Sequence, residues 1–292
     1  VSAAPPHTPT REKPVTTRSA IRRSRTLRVA GGLTVAVLAL GGCSSGDSDA
    51  SKKPDGESGS ASKGAKKVSG TVTVFAAASL KEGFTELKKT FEREHPGATV
   101  TFNFGGSDGL AAGITSGAPA DVFAAASPKT MKTVTDAGDA QGTPAVFARN
   151  QLEIATLPGN PKKITDFEDL ARGGLKVALC AKEVPCGAAA RKVLDAEHLK
   201  LTPASYEQDV KGALTKVELK EVDASVVYKT DVKAAGGKVE GVEFPESKKA
   251  INDYPIARLK KAPNAEGAAA FIDLVTSPRG QKVLTEAGFL KP

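Results

Sequence analysis

The chain predicts an α/β fold with parallel sheets, and three observations predict it. Strand-like and helix-like stretches alternate from about residue 70 onward, small residues form the turns between them, and no repeat of 20–50 residues interrupts the alternation. Residues 71–75, Thr-Val-Thr-Val-Phe, are β-branched and aromatic and predict a strand. In residues 80–94, Leu80, Phe84, Leu87 and Phe91 recur at spacings of four, three and four, which is one face of a helix. His95-Pro96-Gly97 stops it, and residues 98–104 predict a second strand. The corner Gly105-Gly106-Ser107-Asp108-Gly109 opens another helix, Gly117-Ala118-Pro119 closes it, and residues 121–124 form a third strand. Residues 152–156 and 176–179 continue the pattern. Between them Thr165-Asp166-Phe167-Glu168 has the capping-box arrangement that opens a helix. Residues 187–197 predict a helix and residues 223–228 an apolar strand. Residues 264–287 predict two helices broken at Thr276-Ser277-Pro278.

Ahead of this region lies a segment of another kind. Arg22, Arg23, Arg25 and Arg28 precede an apolar run, residues 29–40, of about 12 residues, too short to span a bilayer that needs roughly 20. The run ends in Leu40-Gly41-Gly42-Cys43, which resembles a bacterial lipobox. Residues 1–42 therefore predict a secretory leader, and Cys43 becomes the acylated first residue of the mature chain. Residues 43–67 are mostly Ser, Gly, Lys, Asp and Ala and hold nothing to build a core, so they predict a disordered tether. The leader carries seven Lys/Arg against one acidic residue, so only about +2 of the formal +8 belongs to the rest. That balance leaves no basic patch for nucleic acid. Localisation follows: the extracytoplasmic face of a cell membrane, held by lipid.

The remaining cysteines, Cys180 and Cys186, stand in Leu179-Cys-Ala-Lys-Glu-Val-Pro-Cys-Gly187. Zinc would need two further ligands, and a redox motif the tighter C-x-x-C spacing. In an exported chain the pair predicts a local disulfide.

Catalytic constellations are scarce. Histidines occur at 7, 95 and 198, and there is no G-x-S-x-G, H-E-x-x-H or P-loop, so the chain reads as a non-enzyme. What it offers instead are strand-to-helix corners bearing serine. Ser79 and Ser107 fall where the next helix begins, at its expected N-cap. Helix N-termini have unsatisfied N–H groups and attract anions without formal charge. In an open α/β sheet such corners collect at the carboxyl ends of the strands, where ligands bind.

Three segments in order carry a resemblance: Ala76-Ala-Ala-Ser79-Leu80, Thr101-Phe-Asn-Phe-Gly-Gly-Ser107 and Gly117-Ala-Pro-Ala-Asp-Val-Phe123. Val184-Pro-Cys-Gly187, Asp209-Val210 and Ala224-Ser-Val-Val-Tyr228-Lys-Thr-Asp231 continue it, so that it covers about residues 70–292. The set resembles the molybdate-binding proteins of ABC transporters. The resemblance implies a two-lobed type II periplasmic-binding-protein fold with two crossover hinge strands. Residues 68–149 and 232–292 would form lobe 1 and residues 150–231 lobe 2. It implies a tetrahedral oxyanion, molybdate or tungstate, held by the hydroxyls of Ser79, Ser107 and Tyr228 and the backbone N–H groups of Cys186 and Val210. Molybdenum would be bound as its oxyanion, with no direct protein ligand to the metal and no cofactor. Partners implied are a membrane permease and its ATPase subunit, served by a monomer.

Two positions depart from the family's pattern. Cys186 replaces a small residue such as alanine, and Asp108 follows Ser107 where glycine is more usual. A carboxylate there repels an anion unless it points to solvent as a first-turn helix residue. Rival readings are a binding protein for another oxyanion such as sulfate or phosphate, a lipid-anchored serine hydrolase using Ser79 or Ser107, and an adhesive surface domain.

Overall fold

Val72, Val74 and Ala76 are buried on one face of the first strand and Phe75 on the other, so strand β1 (Ser69–Ala77) can only be the interior of a sheet covered on both sides. The computed structural model describes residues 67–292. The leader, Cys43 and nearly all of the expected tether lie outside them. Strand β1 pairs in parallel with β2 (Gly97–Gly105) on one edge and β3 (Val122–Ala124) on the other. Helix α1 (Lys81–Glu94) turns Phe84, Leu87 and Phe91 onto the face of Val72 and Val74. Helices α2 (Ser107–Thr115) and α3 (Pro128–Asp136) cover the other face, packing Leu110, Ile114, Met131 and Val134 around Phe75 and Phe123.

Strand β4 (Ala140–Asn150) completes this sheet at its edge. After the single residue Gln151 the chain enters β5 (Leu152–Thr156) of a second sheet. There β6 (Val177–Cys180) lies between β7 (Ser205–Glu207) and β8 (Ala224–Tyr228), parallel to both. Helices α4 (Pro185–Ala196), α5 (Val210–Glu218) and α6 (Lys229–Ala235) surround it. A core including Ile154, Val177, Leu179, Val193, Val217 and Val226 holds this second lobe together. Strand β9 (Glu240–Val242) pairs with β5. The chain then returns through a 3-10 turn (Pro245–Ala250) into β10 (Asn252–Leu259), which lies between β3 and β4. Helices α7 (Ala265–Thr276) and α8 (Pro278–Glu286) finish the first lobe. The strand orders are β2-β1-β3-β10-β4 and β7-β6-β8-β5-β9, the same pattern twice. Both sheets are mixed: the antiparallel strands come where the chain crosses between them.

Several expectations change. Residues 232–292 do not all fall in the first lobe, because β9 completes the second sheet and the return crossing comes at residues 250–252. The capping pattern at Thr165 yields only a 3-10 turn, Glu168–Ala171, with the Asp169 carboxylate accepting from the Thr165 N–H. Neither serine caps a helix. Ser79 lies inside a 3-10 turn (Ala78–Leu80) that precedes α1, and Ser107 is the first residue of α2, after Gly106. Their oxygens bond to residues far away in the chain instead, Ser79 to Tyr254 and Ser107 to the Ala126 N–H.

Candidate functional site

Every parallel strand of both sheets ends at the same place. The corner after β1 brings Ala77 to Ser79, the corner after β2 brings Gly105 to Ser107, and Ala126 follows β3. From the second lobe come the first turns of α4 and α5 and the end of β8. Together they line one small cavity that includes Ser79, Ser107, Cys186, Val210 and Tyr228. All five residues singled out in the sequence therefore meet around one space. With about 10 Å³ of room it is far smaller than the roughly 300–1,000 Å³ of organic-ligand pockets, which leaves space for a small ion at most.

Each hydroxyl in the cavity has its oxygen engaged from behind. The Ala126 N–H donates to Ser107 Oγ at 3.0 Å. Asn252 Nδ2 donates to the Ala126 carbonyl and to Tyr228 Oη, both at 2.8 Å, and the carbonyl contact fixes which end of the amide is the donor. Ser79 Oγ and Tyr254 Oη share a bond of 2.9 Å. Asn150 Nδ2 approaches Tyr254 Oη at 3.4 Å, while the Asn150 carbonyl oxygen accepts from the Gln151 N–H. In the Ser79–Tyr254 bond either oxygen can be the donor. Ser107 and Tyr228 accept from behind, so their own O–H groups are not used by those bonds. Burial pushes the Tyr228 hydroxyl well above the usual phenol pKa, with Tyr254 and Asp231 adding to it, and burial raises Tyr254 as well. Both phenols keep their protons throughout the physiological range.

Backbone donors complete the set. Cys186 is the second residue of α4 and Val210 the first of α5, so neither N–H has a partner within its helix. Cys186 is disulfide-bonded to Cys180 at the end of β6, with a Cα–Cα distance of 5.8 Å. Closing so short a loop contributes about 2 kcal/mol by the chain-entropy argument, and it fixes the first turn of α4. Among the described residues lining the cavity, only Asp209 has a charged side chain, and its carboxylate is used to cap α5 at the Gly212 N–H. No group of three or more His, Cys, Asp or Glu among the described residues is arranged to hold a metal ion, and no histidine lines the cavity.

Asp108 is half-buried, with one carboxylate oxygen turned inward. Its Oδ1 is buried without a hydrogen-bond partner, folded back toward Gly106. Sequence reasoning missed Tyr254, Asn252 and Asn150, which act through the serines and Tyr228. They sit on the two crossing strands, paired at Asn252 and Asn150. A tyrosine two residues past an asparagine in a polar stretch gives no local signal of that role.

The bacterial extracellular solute-binding protein family matches residues 72–290. A molybdate-binding protein, ModA, of Mycobacterium tuberculosis is 40% identical over 261 residues, covering 89% of this chain and 97% of its own. The Escherichia coli molybdate-binding protein ModA is 31% identical over 233 residues, 75% of this chain and 89% of its own. Among solved structures, the Azotobacter vinelandii periplasmic molybdate-binding protein superposes with a TM-score of 0.67 at 21% identity, covering 76% of this chain and 99% of its own. The sulfate-binding protein SubI of Mycobacterium tuberculosis gives 0.62 at 22% identity, with 75% and 86% covered. Structures at that identity speak for the fold alone, and the fold is the two-lobed one described above. The chain belongs to the bacterial extracellular solute-binding protein family, and within it is a relative of the molybdate-binding proteins.

Proposed function

We propose that this protein captures molybdate, or its congener tungstate, between its lobes and delivers it to an ABC permease and its ATPase subunit. The observation that carries the reading is the donor set: three hydroxyls at the cavity, each held by a partner behind it, with the N–H groups of Cys186 and Val210 opposite. A tetrahedral dianion gathered by neutral donors forms charge-assisted hydrogen bonds with each. Donors fixed by neighbours rather than by flexible lysines set a cavity size, and a smaller sulfate would leave some of them unpaired, at about 1–3 kcal/mol each. The identity to the ModA proteins supports molybdate over other oxyanions. A serine hydrolase gains nothing here, since Ser107 Oγ accepts from the Ala126 N–H, Ser79 Oγ is bonded to a tyrosine hydroxyl, and no histidine lines the cavity.

Calorimetry of the purified protein with molybdate, tungstate, sulfate and phosphate tests the reading. Molybdate and tungstate are expected to bind stoichiometrically, with sulfate and phosphate far weaker. Preferential binding of sulfate or phosphate would replace the proposal with the other oxyanion reading.

The same reading assigns residues 1–42 to a cleaved leader and residues 43–67 to a tether, with Cys43 acylated and the protein a monomer on the outer face of the membrane. Its support is the arginine-rich, short apolar leader ending at Cys43. Cys43→Ala is expected to abolish partitioning of the protein into detergent. Unchanged membrane association of that variant contradicts the anchor.

A further inference from the structure

One ammonium group joins the two lobes beside the cavity. Lys211 Nζ lies 2.8 Å from Glu82 Oε2 and 3.0 Å from Asp231 Oδ1. Glu82 belongs to the first turn of α1 in the first lobe, while Lys211 and Asp231 belong to the first turns of α5 and α6 in the second. Asp231 is fully buried, and its other oxygen accepts from the Tyr228 N–H at 3.1 Å. Burial opposes the charge on Lys211, but the Asp231 and Glu82 carboxylates together raise its pKa, so it stays an ammonium.

The placement in sequence is what gives this bridge a meaning. Glu82 stands three residues after Ser79, Lys211 directly follows Val210, and Asp231 holds the backbone of Tyr228. Each charged group is therefore anchored next to a different donor of the proposed oxyanion site. None of the three lines the cavity itself. The Lys211–Asp231 pair lies within one lobe, and the Lys211–Glu82 pair spans the two.

We infer that Lys211 is a positioning residue whose bridge from Asp231 to Glu82 clasps the closed lobes and holds the Ser79, Val210 and Tyr228 corners in register around the anion. The inference rests on the proposed reading of the cavity as an oxyanion site. It assigns to these side chains no contact with the ligand; their contribution is to the lifetime of the closed form.

The test uses Glu82→Gln, at a half-exposed position where the fold tolerates a neutral amide. Stopped-flow and calorimetry with molybdate are expected to show dissociation faster by about two- to fivefold, with the association rate and the ligand-free melting midpoint unchanged. A second comparison places Glu82→Gln in a Lys211→Met/Asp231→Asn background, which leaves no buried carboxylate orphaned. There it is expected to have no further effect. Wild-type dissociation from Glu82→Gln, or the same loss in both backgrounds, overturns the clasp. Wild-type protein that does not bind molybdate at all would instead fail the proposed function, and the two failures are told apart by that control.

Discussion

Ser107→Ala is expected to weaken molybdate binding by about 10- to 150-fold, the equivalent of removing one hydrogen bond to a charged group at roughly 1.5–3 kcal/mol. Ser79→Ala is expected to do the same. The two variants differ in what they leave behind. Without the Ser107 oxygen, the buried Ala126 N–H loses its acceptor, so ligand-free stability falls by about 1–3 kcal/mol. Without the Ser79 oxygen, the Tyr254 hydroxyl loses its partner, but Asn150 still reaches it. Calorimetry for affinity and thermal melts of the ligand-free protein separate the two costs. Wild-type affinity in both variants removes these serines from the site.

Gly106→Ala is expected to cost affinity on a similar scale through closure. Gly106 has φ −63° and ψ 131°, a conformation open to any residue, so the glycine is not needed for its backbone. It is needed for space. A Cβ there would overlap the carbonyl oxygen of Gln208, across the cleft in the loop before α5, and would lie 2.8 Å from Asp108 Oδ1. Neither obstacle is the free end of a long side chain. With overpacking costing about 1–3 kcal/mol, binding is expected to weaken by about 5- to 150-fold. Within an isolated lobe the Gln208 overlap is absent and only the Asp108 carboxylate must turn aside, so ligand-free stability is expected to fall less than affinity does. X-ray scattering is expected to show a smaller contraction on adding molybdate than in the wild type. An alanine variant that closes and binds like the wild type would show that the lobes need not approach so closely.

Much of this arrangement was legible in the sequence because the parallel strands and their corners are local. Thr71 to Phe75 alternates and ends in three alanines, and Ser79 and Ser107 follow glycine or alanine turns, so the corners announce themselves. What escaped was the short parallel strand β7 and, more consequentially, the antiparallel strands β4, β9 and β10. Strand β10 contains Pro255, which argues against a strand interior, and a register irregularity falls between Tyr254 and Pro255. Strand β4 is largely exposed over its first half and carries Gly142 and Pro144, so it lacks an apolar pattern. With those strands went Asn150, Asn252 and Tyr254. The serines were placed correctly at helix entrances but were expected to cap them. Propensity sees the neighbouring amide, whereas Tyr254, 175 residues away, is visible only once the chain has folded.

The way the three hydroxyls are held also decides which solutes are refused. Among the groups at the cavity, the Cys186 and Val210 amides can only donate, and Ser107 and Tyr228 already accept one bond each from behind. On the proposed reading, a solute still carrying a proton of its own would find few acceptors for it there. Inorganic phosphate near neutral pH always carries at least one, while molybdate and sulfate carry none. On that reading the cavity would sort its visitors twice, by their basicity and by their radius, and the first sorting would depend on Asn252, a residue of a crossing strand that does not line the cavity.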